Sequence, residues 1–315
     1  MQTKDTVSIT EVGPRDGLQN EPNIIALSTK IQLLERLKEA GCSSIEAGAF
    51  VSPKWTPQMA DSAQVFAELA KQRADQTAQS RSNSKVTYSA LIPNIKGLEQ
   101  AMLSPPDKIA VFTAASETFS QKNTNCSIQI GNERVNDIIK ALKTYAPNQT
   151  IPVRGYISCV AGCPYEGNIA PSVVIKQAEH LLAAGCTEIA LGDTIGVGTA
   201  KQIQSLINDL ARSIPVSKIV VHFHDTYGQA LANILASLEV GVRQIDTSVA
   251  GLGGCPYAKG ATGNVATEDV VFLMRGMGLE TGIDIDALAA TGHWICQTLG
   301  ISNRSRAGQA LHAKL

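Results

Sequence analysis

Eight short runs rich in β-branched and apolar residues recur along the chain, at 7–12, 43–49, 86–92, 108–113, 152–159, 187–192, 218–224 and 243–249. Between most of them the apolar spacing changes, as at Ile31, Leu34, Leu37 and Ala40, or Ile203, Ile207, Leu210 and Ile214, which is the pattern of one helix face. Strand, helix, strand is therefore the expected repeating unit. A faint internal repeat supports it: Ala-Gly-Cys-Ser-Ser-Ile-Glu at 40–46, Ala-Gly-Cys-Thr-Glu-Ile-Ala at 184–190 and Val-Gly-Val-Arg-Gln-Ile-Asp at 240–246 align without gaps. Gly41, Gly185 and Gly241 fall where a helix ends on a residue of positive φ just before a parallel strand. Eight such units predict an α/β protein, a closed (β/α)8 TIM barrel with extra helices after the last strand. An open doubly wound sheet would place a glycine-rich phosphate loop after an early strand, and Gly-Asp-Thr-Ile-Gly-Val-Gly at 192–198 is a poor match.

The strands occupy about residues 7–250, and 251–315 read as an active-site loop and a capping segment, so one barrel domain over 1–315 is expected. The polar stretch 71–85 reads as a helix end running into a surface loop. Across 315 residues, 44% hydrophobic and 17% charged positions exclude global disorder, and a net charge of -1 leaves no footprint for nucleic acid or anionic membrane. No apolar stretch approaches the ~20 residues of a membrane span, and the first residues pass straight into a strand. The expectation is a soluble, cytoplasmic protein. Seven cysteines without a Cys-x-x-Cys pair read as reduced thiols; Cys159 and Cys163 have no matching Cys/His pair to complete a zinc site.

Catalytic groups of this barrel class stand at the carboxyl ends of strands. Strand one ends in Gly-Pro-Arg15-Asp16-Gly, strand two carries Glu46, strand six ends on Asp193, strand seven reads Val-His222-Phe-His224-Asp, and strand eight opens into Gly-Leu-Gly-Gly-Cys255-Pro. His222 and His224, two apart on a strand, point to one face, so both imidazoles can meet one cation. Asp16 and the amide oxygen of Asn264 can complete a mixed nitrogen and oxygen set suited to Mg²⁺ or Mn²⁺, although imidazole also accepts Zn²⁺ or Co²⁺. Taken alone, Asn264 reads as an Asx-turn residue.

Arg15 is either half of a loop ion pair with Asp16 or, aimed into the mouth, a donor to a developing oxyanion. Glu46, inserted in an apolar strand, needs a partner such as Arg15 or a metal-bound water, and a supporting role is expected. Asp193 is open between such support and capping a helix N-terminus. Cys255 is a candidate proton donor in a glycine-rich loop, against the alternative of a buried, inert thiol.

These motifs, with Phe-Val-Ser-Pro-Lys-Trp at 50–55, Arg-Gly-Tyr156-Ile-Ser-Cys and Val-Ala-Gly-Leu-Gly-Gly-Cys255-Pro-Tyr-Ala, closely resemble the 3-hydroxy-3-methylglutaryl-CoA lyase family from about residue 7 to residue 300. The resemblance implies Mg²⁺ or Mn²⁺ on Asp16, His222, His224 and Asn264, with Arg15 near the thioester carbonyl and Cys255 on the active-site loop. It implies supporting roles for Glu46, Asp193 and Tyr156, the last not selected by residue type or spacing. It also implies an acyl-CoA substrate cleaved to acetoacetate and acetyl-CoA, as in leucine degradation and ketone-body formation; a homodimer is a further expectation. Asp16 and His222 both stand as candidate bases. The rivals are a lyase for a longer branched 3-hydroxyglutaryl-CoA, a Claisen synthase of the isopropylmalate or homocitrate type, and a barrel that binds metal or acyl-CoA without turnover. Some members carry a thiol near the C-terminus; here no cysteine follows Cys296, so redox control through that tail is not expected.

Overall fold

The structure, a computed structural model, describes residues 5–78, 86–147, 149–254 and 263–314. Eight parallel strands close in sequence order: β1 Ser8–Glu11, β2 Ser44–Ala49, β3 Thr87–Leu91, β4 Lys108–Ala114, β5 Val153–Ser158, β6 Glu188–Asp193, β7 Ile219–Phe223 and β8 Gln244–Thr247. Each lies inside the run that predicted it or within a residue of it. The seam closes where β1 pairs with β8, Thr10 opposite Asp246. The expected barrel, and not the open sheet, is the fold.

Outside the strands lie α1 Leu27–Glu39, α2 Ser62–Ala78, α3 Ile95–Ala101, α4 Glu117–Thr124, α5 Ile128–Tyr145, α6 Pro171–Ala184, α7 Ala200–Leu210 and α8 Ala230–Glu239. Three more, α9 Thr267–Gly276, α10 Ile285–Leu299 and α11 Arg306–His312, follow the barrel. The helix expected to end within 71–85 is α2, which runs to Ala78; 79–85 lie outside the described residues. The six cysteines among the described residues are free and buried. No helix among those residues is long and apolar enough to cross a membrane.

Two different cores result from the closure. The large one lies between sheet and helices, where Leu33, Leu37, Ile45, Leu181, Ile207 and Ile245 are almost fully buried. That stripe of aliphatics is what made the helical spacing legible. Inside the barrel the apolar fill is small, with Ala110, Tyr156, Ala190 and Val220 forming a separate cluster. The remaining interior is polar, and it leads to the mouth.

Gly41 and Gly241 have φ of 92° and 104°, as the repeat required, at the junctions after α1 and α8. They differ in surroundings: a Cβ on Gly41 would stand 2.4 Å from the Gly282 carbonyl oxygen, whereas on Gly241 the nearest atom is Val216 Cγ1 at 3.7 Å. Gly241→Ala is expected to cost about 1–2 kcal/mol, the left-handed penalty alone. Gly41→Ala should cost clearly more, because backbone must move as well. Urea denaturation of the two variants checks the order.

Candidate active site

A single π-helical turn, Gly13–Gly17, follows β1 and turns Arg15 and Asp16 together into the mouth. It fits because Gly17 has no side chain: a Cβ there would stand 2.8 Å from Leu252 Cβ. Glu11 anchors the turn from below. Its Oε1 accepts from the amides of Gly13 and Val249 at 2.8 and 2.9 Å, and its Oε2 accepts from the Thr267 hydroxyl at 2.6 Å. One buried carboxylate thus ties the Arg15 turn to the end of β8 and the start of α9. Burial pushes the Glu11 carboxyl up to about 7 against these donors.

Asp16, His222 and His224 meet at the mouth, with one potential ligand atom from each within 4.8 Å of the others. Nε2 of His222 and of His224 lie 3.8 and 3.9 Å from Asp16 Oδ2. Asn264, bridged to His224 in the chain's return after β8, donates from Nδ2 to the same Oδ2 at 2.9 Å and to the Leu252 carbonyl at 3.2 Å. The amide nitrogen, not the oxygen, therefore faces Asp16. Gln19 Nε2 donates to Asp16 Oδ1 at 3.1 Å.

Arg15 is buried, its Nε paired with Glu46 Oε1 and its Nη1 with Asp16 Oδ1. Among the described residues these bonds leave Nη2 uncommitted. Tyr156 lies beneath, its hydroxyl within 3.2 Å of Glu46 Oε2 and 2.9 Å of Asp246 Oδ2. Asp246 also holds Arg154 Nη1 at 2.5 Å and faces His222 Nδ1 at 3.3 Å. Glu188 then receives Arg154 Nε at 2.5 Å and Lys108 Nζ at 2.9 Å. Arg154, Glu188 and Asp246 were missed in the sequence. Arg154 is the single charge of β5, which gave no sign of its partners; Glu188 shares β6 with Asp193, and Asp246 shares β8 with the polar Gln244 and Thr247.

Electrostatics follow from this packing. Burial would raise Asp16, but the Arg15 guanidinium and the two imidazoles outweigh it and hold the carboxyl well below the usual range. Burial and the neighbouring His222 push His224 down to about 4, so its imidazole is neutral. Burial between Asp246 and Glu46 raises the Tyr156 phenol well above its ordinary value, and it keeps its proton.

Of the two expectations for Asp193, the structure removes the helix cap: α7 begins at Ala200, preceded by Thr199. The Asp193 carboxylate instead accepts from the amides of Val197 and Gly198 at 3.2 and 2.8 Å, folding the loop after β6, and burial pushes it up to about 6. The Asp193 carbonyl accepts from the His224 amide at 3.3 Å, which keeps that loop against the cluster. Cys255 lies outside the described residues.

The donor set fits a divalent cation. Octahedral neighbours around Mg²⁺ sit about 3 Å apart, so separations of 3.8 and 3.9 Å need only a sub-ångström contraction. Nε2 of His224 is the atom turned to Asp16, and among the described residues its buried Nδ1 has no hydrogen-bond partner. The surrounding network sets four carboxylates (Asp16, Glu46, Glu188, Asp246) against three cationic side chains (Arg15, Lys108, Arg154), a deficit of positive charge that a cation offsets.

Barrel and cluster together define the class: a (β/α)8 barrel with an oxygen and nitrogen set suited to a divalent cation at its mouth. The profile of the HMGL-like family matches residues 6–295, and the chain belongs to that family. It is 52% identical over 314 residues, all of both chains, to the 3-hydroxy-3-isohexenylglutaryl-CoA/hydroxy-methylglutaryl-CoA lyase of Pseudomonas aeruginosa. It is 47% identical to the mitochondrial hydroxymethylglutaryl-CoA lyase of Homo sapiens, covering 96% of this chain and 89% of that one. Among solved structures, an HMG-CoA lyase of Acinetobacter baumannii in complex with coenzyme A and 3-methylmalate superposes with a TM-score of 0.87 at 34% identity, covering 98% of this chain and 96% of that one.

Proposed function

We propose that this chain cleaves (S)-3-hydroxy-3-methylglutaryl-CoA to acetoacetate and acetyl-CoA, with Asp16, His222, His224 and Asn264 holding Mg²⁺ or Mn²⁺. The observation that carries the reading is the convergence of Asp16, His222 and His224 beside a buried arginine that has a donor to spare. The family and the full-length relatives support the reaction class.

A divalent cation at this site supplies charge stabilisation for the C3 oxygen and the adjacent carboxylate and lowers the pKa of the C3 hydroxyl. Asn264 joins the set by turning its amide through half a rotation, which gives up its two present bonds and presents the oxygen. The hydroxyl proton passes to His222 or Asp16 as the bond between C2 and C3 breaks, and the electron pair moves onto the thioester. Arg15 receives the enolate oxygen on Nη2 while Glu46, itself held by Tyr156, keeps the guanidinium in place. Cys255 returns a proton to C2, yielding acetyl-CoA.

A second reading keeps the same centre with a larger substrate. One relative's name carries the isohexenyl as well as the methyl compound, and the polar cluster meets only the head that both share. The single barrel unit with 251–315 as loop and cap, the homodimer and the cytoplasmic location belong to this proposal too; sedimentation reads the dimer.

The test is product release from both thioesters by purified protein, with Mg²⁺ or Mn²⁺ and after EDTA. Cleavage is expected to fall to background on chelation and to return with the ion. Undiminished cleavage in EDTA overturns the metal assignment, and the ratio of the two substrates' kcat/KM decides between the readings.

A further inference from the structure

Strand β8 carries one charged side chain, Asp246, at 2% exposure. Its Oδ1 accepts from Arg154 Nη1 at 2.5 Å, and its Oδ2 accepts from the Tyr156 hydroxyl at 2.9 Å. The remaining neighbour is His222 Nδ1, 3.3 Å from Oδ2. In the pairing of β7 with β8, His222 stands directly opposite Asp246. Sheet register, not loop conformation, sets this meeting.

A histidine that binds a cation offers the lone pair of one ring nitrogen and keeps its proton on the other. His222 directs Nε2 toward Asp16 and Nδ1 toward Asp246. We propose that Asp246 is a positioning residue for the cation site: it holds the His222 proton on Nδ1, fixes the ring plane and leaves Nε2 as the lone pair that faces the ion, which takes His222 out of the role of base and leaves the hydroxyl proton to Asp16. The inference rests on the metal reading of the cluster.

Arg154 gives the arrangement a direction. An asparagine at 246 must turn its oxygen to Arg154, because an amide NH₂ against a guanidinium sets donor against donor. The amide nitrogen then falls on the side of His222, donates to Nδ1 and drives the ring proton to Nε2, the atom the ion needs. Tyr156 is not stranded, since its hydroxyl can donate to Glu46 Oε2, 3.2 Å away. A change that removes one charge and no volume thus reverses a tautomer, as asparagine does in the hydrolase triads.

The experiment combines ¹⁵N NMR of histidine-labelled protein with Mn²⁺ titration followed by EPR, on the wild type and on Asp246→Asn. His222→Gln identifies the His222 signals among the five histidines. In the metal-free wild type, at a pH high enough for His222 to carry a single proton, that proton is expected on Nδ1; in Asp246→Asn it moves to Nε2 and the Kd for Mn²⁺ rises at least ~10-fold. A neutral wild-type His222 whose single proton sits on Nε2 overturns the proposal without any variant, so a poorly folding Asp246→Asn does not shelter it. A folded Asp246→Asn with wild-type affinity and an unmoved proton overturns it equally. Absence of Mn²⁺ binding in a wild type whose Nδ1 is protonated sinks the metal reading instead, and this inference with it.

Discussion

Asp16→Asn removes cation binding from an intact barrel. The substitution conserves volume: the new amide keeps its oxygen at the Oδ1 position, where it accepts from Arg15 and Gln19, and turns its NH₂ to Asn264, whose amide can rotate to accept, so the mouth keeps its packing. What disappears is the one anionic ligand of the cluster, the group toward which both imidazoles point. A cation contributes several kcal/mol of charge stabilisation to chemistry of this kind, which at about 1.4 kcal/mol per decade corresponds to a fall in kcat/KM of at least ~1,000-fold. Mn²⁺ affinity should drop with it, and thermal unfolding should show a Tm near that of the wild type. Turnover within tenfold of the wild type would take Asp16 out of the ligand set.

Arg15→Gln should separate chemistry from metal. The side chain reaches Glu46 and Asp16 through Nε and Nη1, and its loss leaves two carboxylates without their shared cation. The site becomes more negative, so Mn²⁺ should bind as tightly as in the wild type or more tightly. The donor to the enolate oxygen is gone, however, and removing one such donor costs a factor of roughly 10²–10³ in kcat. Expected is a kcat at least ~100-fold lower with an undiminished metal affinity, measured by steady-state assay and EPR titration on the same preparation. Near-normal kcat in a folded variant would exclude Arg15 from the oxyanion role. The two variants therefore fail in different observables, which tests the division of labour within one turn.

The barrel was legible because its evidence is local. Each strand is a short apolar run, each helix a period, and Gly41, Gly185 and Gly241 mark junctions by a backbone need that one residue reveals. The His222 and His224 pair was legible for the same reason, since spacing on a strand fixes the face. Asp246 and Arg154 were not, because what makes them matter is who stands opposite: they are partners across 92 residues, and only sheet register brings them together. The bonds of Asp193 to amides four and five residues on depend on the path of a loop that composition does not specify. The orientation of the Asn264 amide is a further step removed, set by Leu252 and Asp16 together.

Closure of the sheet through β1 and β8 also gives the site a place in time. During synthesis β1 emerges first and its partner last, so one edge of the growing sheet stays unpaired until β8 has left the ribosome. Asp16 meets Asn264 across 248 residues, a loop whose closing entropy must be met by contacts made elsewhere first. A nascent chain of half the length holds Arg15 and Asp16 but neither imidazole, and gains nothing from the metal. An ion held by the proposed ligands would join the turn after β1, β7 and the return from β8, and would stabilise the folded state by mass action at the place where the barrel would open. Metal depletion should accordingly speed the unfolding of finished protein while leaving synthesis-stage intermediates untouched.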